Sequence, residues 1–199
     1  MGETISPEVI EKAKSEPAEF AKIFDHYYGK ILNYVFRQVW DTETAEEITS
    51  STFYRLLKAL PGYKPGRNFN AWLYKIALNE VRLFYRKRGR QERLKENVLS
   101  CPPEEIYFDR PYPEDCSDPA LKLEQYEQVR RMLDQLPEKY REVLVLRYWE
   151  GLKLEEIAKV LGKSVGTVKS MVHRGLNKLR IKAEKEEFAH HTQAGSIHG

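Results

Sequence analysis

Five of the chain's ten prolines fall within one 24-residue stretch, residues 96–119, at Pro102, Pro103, Pro111, Pro113 and Pro119. Proline has no backbone N–H to give a helix or sheet, and it pushes the residue before it out of the helical region. No regular element is expected to cross this stretch, so the chain divides into two pieces that must each bury a core. The same stretch carries seven acids (Glu96, Glu104, Glu105, Asp109, Glu114, Asp115, Asp118) against Arg110, a balance of −6. Residues 81–95 hold seven bases (Arg82, Arg86, Lys87, Arg88, Arg90, Arg93, Lys95) against Glu92, a balance of +6. Residues 163–185 return to +6, with Lys163, Lys169, Arg174, Lys178, Arg180, Lys182 and Lys185 against Glu184. A net charge of only +3 at pH 7 conceals this basic, acidic, basic order. At ~3.3 Å per residue an extended 24-residue linker reaches at most ~80 Å.

Both flanking pieces read as helical, because apolar residues recur at three- and four-residue spacing and no stretch alternates as a strand does. Phe20, Ile23, Phe24, Tyr27, Ile31, Leu32, Val35 and Phe36 form one wide stripe on a long helix that should end near Trp40. Asp41 or Thr42 caps the next helix, which carries Ile48, Thr52, Phe53, Leu56 and Leu57 and stops before Pro61-Gly62. After a loop from Pro61 to Arg67, Asn68 caps a third helix bearing Trp72, Leu73, Ile76, Ala77, Val81 and Phe84, whose far end is the first basic cluster. A short helix starting at Ser6-Pro7 precedes them. The expected fold class is all-α, with two small helical domains: residues 1–95, the linker 96–119, a second domain over 120–185, and a disordered tail over 186–199.

In the second domain Leu121 to Leu136 is amphipathic, and Pro137 suits the first turn of a helix through Val143, Leu144 and Leu146 that Gly151 ends. Leu154 to Leu161 follows, then a turn at Gly162-Lys163 and a helix capped by Ser164 with Val165, Val168, Val172, Leu176 and Leu179 as its buried stripe. This is a helix-turn-helix. Small Ala158 lets the two helices approach, and Gly162 supplies the left-handed turn. The geometry leaves Thr167, Lys169, Ser170, His173, Arg174 and Lys178 on the outward faces of the second helix. A helix fits the major groove of B-DNA, where Lys and Arg reach guanine acceptors or phosphates and Ser and Thr contact either.

At these residues the chain resembles the extracytoplasmic-function group of bacterial sigma-70 factors. Leu154 to Leu176, with the lead-in Leu136 to Leu152, resembles the group's C-terminal promoter-reading domain. Ala45-Glu-Glu-Ile-Thr-Ser-Ser-Thr-Phe-Tyr-Arg is similar to its core-polymerase-binding helix, and Phe69-Asn-Ala-Trp-Leu-Tyr-Lys-Ile-Ala-Leu-Asn to its promoter-melting helix. The resemblance implies that Thr167, Lys169, Ser170 and Arg174 read the −35 element. It implies that the loop around Tyr63 and Lys64, with Asn79, captures a base flipped from the −10 element, a ring stacking on the base and an amide bonding its edge. Arg82, Arg86, Lys87, Arg88 and Arg90 would hold the melted backbone. The alternative for Tyr63 is a loop aromatic tucked over the helices, and Trp72 reads as core. Glu46, Glu47, Thr49, Ser50 and Phe53 fall on the helix that, in the group, docks on the clamp helices of the polymerase's largest subunit. The partners implied are core RNA polymerase, through the clamp helices and the flap region, promoter DNA and an anti-sigma factor.

The chain departs from the group's pattern at Ser50-Ser51, where Gln-Glu is common, at Met171, where an Arg is common, and at Lys153, where a Ser cap is usual. Losing that cap costs ~0.5–2 kcal/mol, so the first helix of the motif is expected to fray more. No cofactor, metal or catalytic residue is expected: there is no G-x-S-x-G, Walker A, H-E-x-x-H or dinucleotide fingerprint. His190, His191 and His198 lie in the polar tail, and the linker thiols Cys101 and Cys116 have no basic neighbourhood to activate them. With two cysteines and no run of 18 apolar residues, a cytoplasmic protein without a membrane span is expected. Met1, Gly2 and Ser6 satisfy the myristoylation template, but so short a pattern specifies little beside an ordinary frayed start. The alternatives are a stand-alone helix-turn-helix regulator, which would need an input domain, and a polymerase-binding adaptor.

In these sigma factors the connector threads polymerase channels meant for nucleic acid, and a −6 segment can mimic a phosphate chain there. Neutralising Glu104, Glu105, Asp109, Glu114 and Asp115 together is expected to change the kinetics of initiation or promoter escape. Unchanged kinetics in a single-round transcription assay would overturn the mimicry.

Overall fold

The structure is a computed structural model that describes residues 5–94 and 128–194, with side chains placed for 5–89 and 128–184. The expected linker 96–119 with Cys101 and Cys116, the side chains of Arg90, His190 and His191, and His198 lie outside these residues. All the regular structure described is helical. The first domain contains α1 (Pro7–Lys12), α2 (Pro17–Val39), α3 (Thr42–Ala59), a 3₁₀ turn at Leu60–Gly62, and α4 (Phe69–Leu94). The second contains α5 (residues 128–134), α6 (Glu138–Tyr148), α7 (Leu154–Leu161) and α8 (Val165–Ala194).

Helix boundaries follow local chemistry. Ser6 accepts from the Val9 N–H to start α1, Asp41 accepts from Thr44 N–H at 2.8 Å to start α3, and Asn68 Oδ1 accepts from Ala71 N–H at 2.8 Å to start α4. The end of α2 is less ordinary: Trp40 takes the left-handed conformation (φ 57°, ψ 22°), which a side chain of this size adopts at a cost of about 1–3 kcal/mol. It is held there by packing on Phe36 and by Arg130 over its ring. α8 runs to Ala194, so residues 186–194, expected in a disordered tail, are helical. Between Leu176 and Ala194 the sequence has neither Gly nor Pro and is rich in Ala, Glu and Lys, which propagate a helix readily.

The core of the first domain is the expected stripe of α2 (Ile23, Tyr27, Ile31, Val35) met by Ile48, Phe53 and Leu56 of α3 and Leu73, Ala77, Leu78 and Val81 of α4. In the second, Val143, Leu144 and Leu146 of α6 meet Leu152, Ile157, Val160 and Val168. One member of the expected α8 stripe is misplaced: Leu176 is 41% exposed. The position facing α6 is Gly175 instead, where an added Cβ would stand 3.1 Å from the buried Leu144 Cδ1. A glycine there allows the helices to approach more closely than a leucine could, which turns Leu176 outward.

Asp41 has its carboxyl pKa lowered chiefly by its hydrogen bonding to Thr44. A depressed folded-state value means that the cap's stabilisation is present above the ordinary carboxylate range and is lost as pH falls through the folded value. Asp41→Ala is expected to cost ~1 kcal/mol at neutral pH, and its difference from wild type in thermal denaturation should shrink as pH drops below about 4.

Candidate nucleic-acid interface

The helix-turn-helix is rigid where it must be. Gly162 ends α7 with φ 64°, and Ser164 Oγ accepts from the Thr167 N–H at 3.2 Å, capping α8. At the start of α7 the Lys153 side chain offers no acceptor, yet the Lys153 N–H donates to Glu156 Oε2 at 2.8 Å. Half of a capping box thus survives without the usual Ser, which offsets the expected fraying. Inside the motif Val168 is fully buried and Met171 is 8% exposed. The position at which the group often carries Arg is therefore a packing position here. All six sequence-selected residues of α8, Thr167, Lys169, Ser170, His173, Arg174 and Lys178, are exposed. Ser170 Oγ donates back to the Gly166 carbonyl, and Thr167 and Ser164 hydroxyls meet at 2.9 Å.

On α4, Asn79, Arg86, Lys87 and Arg88 are exposed, as is Lys64 in the preceding loop. Tyr63 is not: it is 7% exposed, its ring lies against Phe69 and Trp72, and its hydroxyl donates to the Arg67 carbonyl. This corrects the expectation that Tyr63 offers a stacking face, because both neighbouring rings already cover it. Tyr63 instead closes the loop over the core, so that Lys64 is carried outward.

The α3 candidates divide by helical phase. Glu46, Glu47 and Ser50 are exposed, whereas Thr49 is fully buried and Phe53 is 4% exposed, its ring tilted against that of Phe24. Thr49 and Phe53 therefore belong to the core, one helical step away from the outward face, and cannot touch a partner directly. The same face holds two residues that the sequence reading did not select, Tyr54 at 59% exposure and Leu57 at 48%. Leu57 was placed with the core stripe; its exposure beside Tyr54, with Lys58 over the Tyr54 ring at 4.4 Å, is what identifies the face.

The fourth feature is the seam between the domains, where α4 packs against α7 and α2 against α6. Arg82 makes a two-pronged contact with Glu142 of α6, Nε to Oε1 at 2.8 Å and Nη2 to Oε2 at 2.7 Å. Glu150 accepts from Arg37 at 3.2 Å and from the Tyr74 hydroxyl at 2.6 Å. Asn68 uses its amide nitrogen to reach Glu156 at 2.7 Å while its oxygen caps α4. Burial, and then the Glu150 carboxylate, push the Tyr74 phenol pKa well up, so it remains a donor. The bond to Glu142 is the main reason that the Arg82 pKa is raised further. Beside this pair a cleft of about 600 Å³ is lined by Asn79, Arg82, Tyr85 and Arg86 on one wall and Glu138, Lys139 and Glu142 on the other.

Two helical domains, one carrying a basic helix end and the other an exposed basic helix-turn-helix, define a bipartite nucleic-acid-binding protein. Residues 23–91 match the family model described as Sigma-70 region 2, and residues 126–179 match Sigma-70, region 4. The chain is 32% identical over 180 residues to the ECF RNA polymerase sigma factor SigW of Bacillus subtilis, covering 88% of this chain and 95% of that protein. It is 34% identical over 158 residues to SigE of Mycolicibacterium smegmatis, covering 76% of this chain and 56% of SigE. Among solved structures, CnrH in complex with the cytosolic domain of CnrY superposes with a TM-score of 0.65 at 27% identity, covering 89% of this chain and 96% of that one. Bartonella quintana RpoE shares the fold with a TM-score of 0.68 at 23% identity, covering 83% and 97%. The chain belongs to the extracytoplasmic-function group of the sigma-70 family.

If the exposed face of α3 is the polymerase-docking face, Tyr54→Ala with Leu57→Ala should weaken binding to core RNA polymerase by about tenfold or more, since aromatic anchors dominate such contacts. The melting temperature should stay near wild type. Fluorescence anisotropy with labelled protein and purified core, beside a thermal melt, checks both.

Proposed function

We propose that this sigma factor binds core RNA polymerase through the outward face of α3, chiefly Glu46, Glu47, Ser50, Tyr54 and Leu57. It reads the −35 element through Thr167, Lys169, Ser170, His173, Arg174 and Lys178. The division of labour follows the boundaries expected from the sequence: residues 1–95 for polymerase binding and the −10 element, 96–119 as connector and 120–185 for the −35 element. The observation that carries the reading is the α8 surface, where six polar or basic side chains stand exposed on a helix whose opposite face is locked by Val168, Met171 and Gly175.

In the first domain Lys64, Asn79, Arg82, Arg86, Lys87, Arg88 and Arg90 form the −10 side. Asn79 is exposed and can hydrogen-bond a base edge, and the cations that follow along α4 can neutralise successive phosphates. Tyr63 shapes this loop from within. The protein has no chemistry of its own in this scheme, because initiation needs only that polymerase be placed and the duplex opened. It acts in the cytoplasm, where promoter DNA is; no helix among the described residues is long and apolar enough to cross a membrane. The similarity to CnrH, solved with the cytosolic domain of CnrY, supports an anti-sigma partner for this chain too.

Transcription in vitro with bacterial core polymerase on a genomic promoter library, with start sites mapped, tests the assignment. A defined promoter class should appear with the protein and vanish with Lys169→Ala and Arg174→Ala together. If both cations contact phosphate, the slope of log affinity against log salt should flatten by about 2. DNA binding without any core-dependent start site would favour a stand-alone regulator.

A further inference from the structure

Between Glu47 and Glu92 the chain contains one acid, Glu80, against ten bases. Five of those bases, Arg55, Lys58, Lys64, Arg67 and Lys75, precede Glu80 in the chain, and all five are exposed. The acid is not: Glu80 is 8% exposed, on the side of α4 that meets α3. Arg55 Nε stands 2.5 Å from Glu80 Oε1, and Arg55 is its ion-pair partner among the described residues. The two side chains differ sharply in setting, since 55% of Arg55 is exposed.

A carboxylate buried this far needs a cation beside it. Arg55 supplies one while leaving more than half of its side chain in solvent. A guanidinium carries five N–H donors, of which one carboxylate takes two at most, so the remaining donors are left for a partner. The buried end of the pair fixes where they stand, and a guanidinium held in advance loses less freedom when it meets an anion. Arg55 lies about 100° round α3 from Tyr54, which sets it off the Tyr54 face and on the edge next to α4. Lys58 is one turn further along α3, and Lys64 and Arg67 follow in the loop beyond it. A run of bases of single sign suits a backbone whose negative charges repeat, and no acid in the run opposes it.

We infer that Arg55 contacts a phosphate of the opened strand and that Glu80 is its positioning residue. The end of α3 thereby joins the loop and α4 in holding the nucleic-acid backbone. This rests on the reading of the first domain as the −10 side.

Fluorescence anisotropy of the full chain on a labelled 12-nucleotide mixed-sequence single strand, measured over a series of salt concentrations, tests both roles, because a phosphate contact requires no particular base. Arg55→Ala alone would strand the Glu80 carboxylate, so the cation is removed as Arg55→Ala with Glu80→Gln, its fold checked by circular dichroism and a thermal melt. This double variant should bind the strand about three- to tenfold more weakly and flatten the slope of log affinity against log salt by about 0.7, as for one phosphate of a single strand. Glu80→Gln by itself keeps the cation and removes an anion, so a bare charge effect would tighten binding. Positioning predicts the opposite sign, a loss of about two- to threefold with the wild-type slope kept. Tighter binding by Glu80→Gln would overturn the positioning role. A double variant that keeps the wild-type slope but binds core RNA polymerase more weakly would overturn the phosphate contact, because Arg55 would then serve the polymerase. Arg86→Ala is measured alongside. If it flattens the slope and the double variant does not, Arg55 alone is misassigned; if neither does, the −10 reading of the first domain fails and the Arg55 contact with it.

Discussion

A carboxylate removed from water must be matched by a cation or by several hydrogen bonds, since an unpaired one costs several kcal/mol. Glu142 sits on α6 among Val143, Leu144 and Val145, all buried, and its own side chain is almost wholly covered. Arg82 is the group that matches it, and it does so with two parallel bonds that fix distance and orientation together. The pair ties α4 to α6 beside the packing of α4 on α7 and of α2 on α6. With α4 packed on α7, Tyr74 reaches Glu150, and Asn68 at the start of α4 reaches Glu156 at the start of α7. These polar contacts lie beside apolar packing, since the buried hydrophobic residues of the two domains form one continuous cluster.

The exposed surfaces of α8 and α4 are set by what lies behind them. On α8, Gly175 lets the helix approach Leu144, and Val168 and Met171 fill the remaining space, so the Thr167, Lys169, Ser170 and Arg174 side has nowhere to point but outward. On α4, Leu73, Ala77, Leu78 and Val81 hold the helix against α2 and α3 while Asn79, Arg86 and Lys87 stay in solvent. Tyr85 adds a tie by donating to the Gln38 carbonyl at the end of α2. Neither surface needs motion within its own domain in order to present its side chains.

Much of this was legible in the chain. Periodic apolar positions, the caps Ser6, Asp41, Asn68 and Ser164, and the turn glycine Gly162 place the helices, because each of these signals acts over three or four residues. The exposed set on α8 was read correctly for the same reason. The misreadings share a different cause. Thr49, Phe53 and Leu57 differ in exposure according to which side of α3 meets α2 and α4, a matter of helix rotation that an amphipathic stripe bordered by Thr and Ser leaves open. Leu176 was displaced by Gly175 because close approach to Leu144 involves a helix some 30 residues distant. Tyr63 lies in a loop without periodicity, where an aromatic can face either way.

From the sequence alone follow the all-helical class, the division at the proline-rich acidic stretch, the helix-turn-helix and its basic face, and the segregation of charge, since each depends on composition or on neighbours along the chain. Only the tertiary structure decided that Arg82 meets Glu142, that Asn68, the cap of α4, also reaches Glu156, and that Trp40 can be held in a left-handed turn beneath Arg130. Those contacts join residues 60, 88 and 90 positions apart, and a contact at such separation is selected by how two surfaces fit, which no local signal encodes.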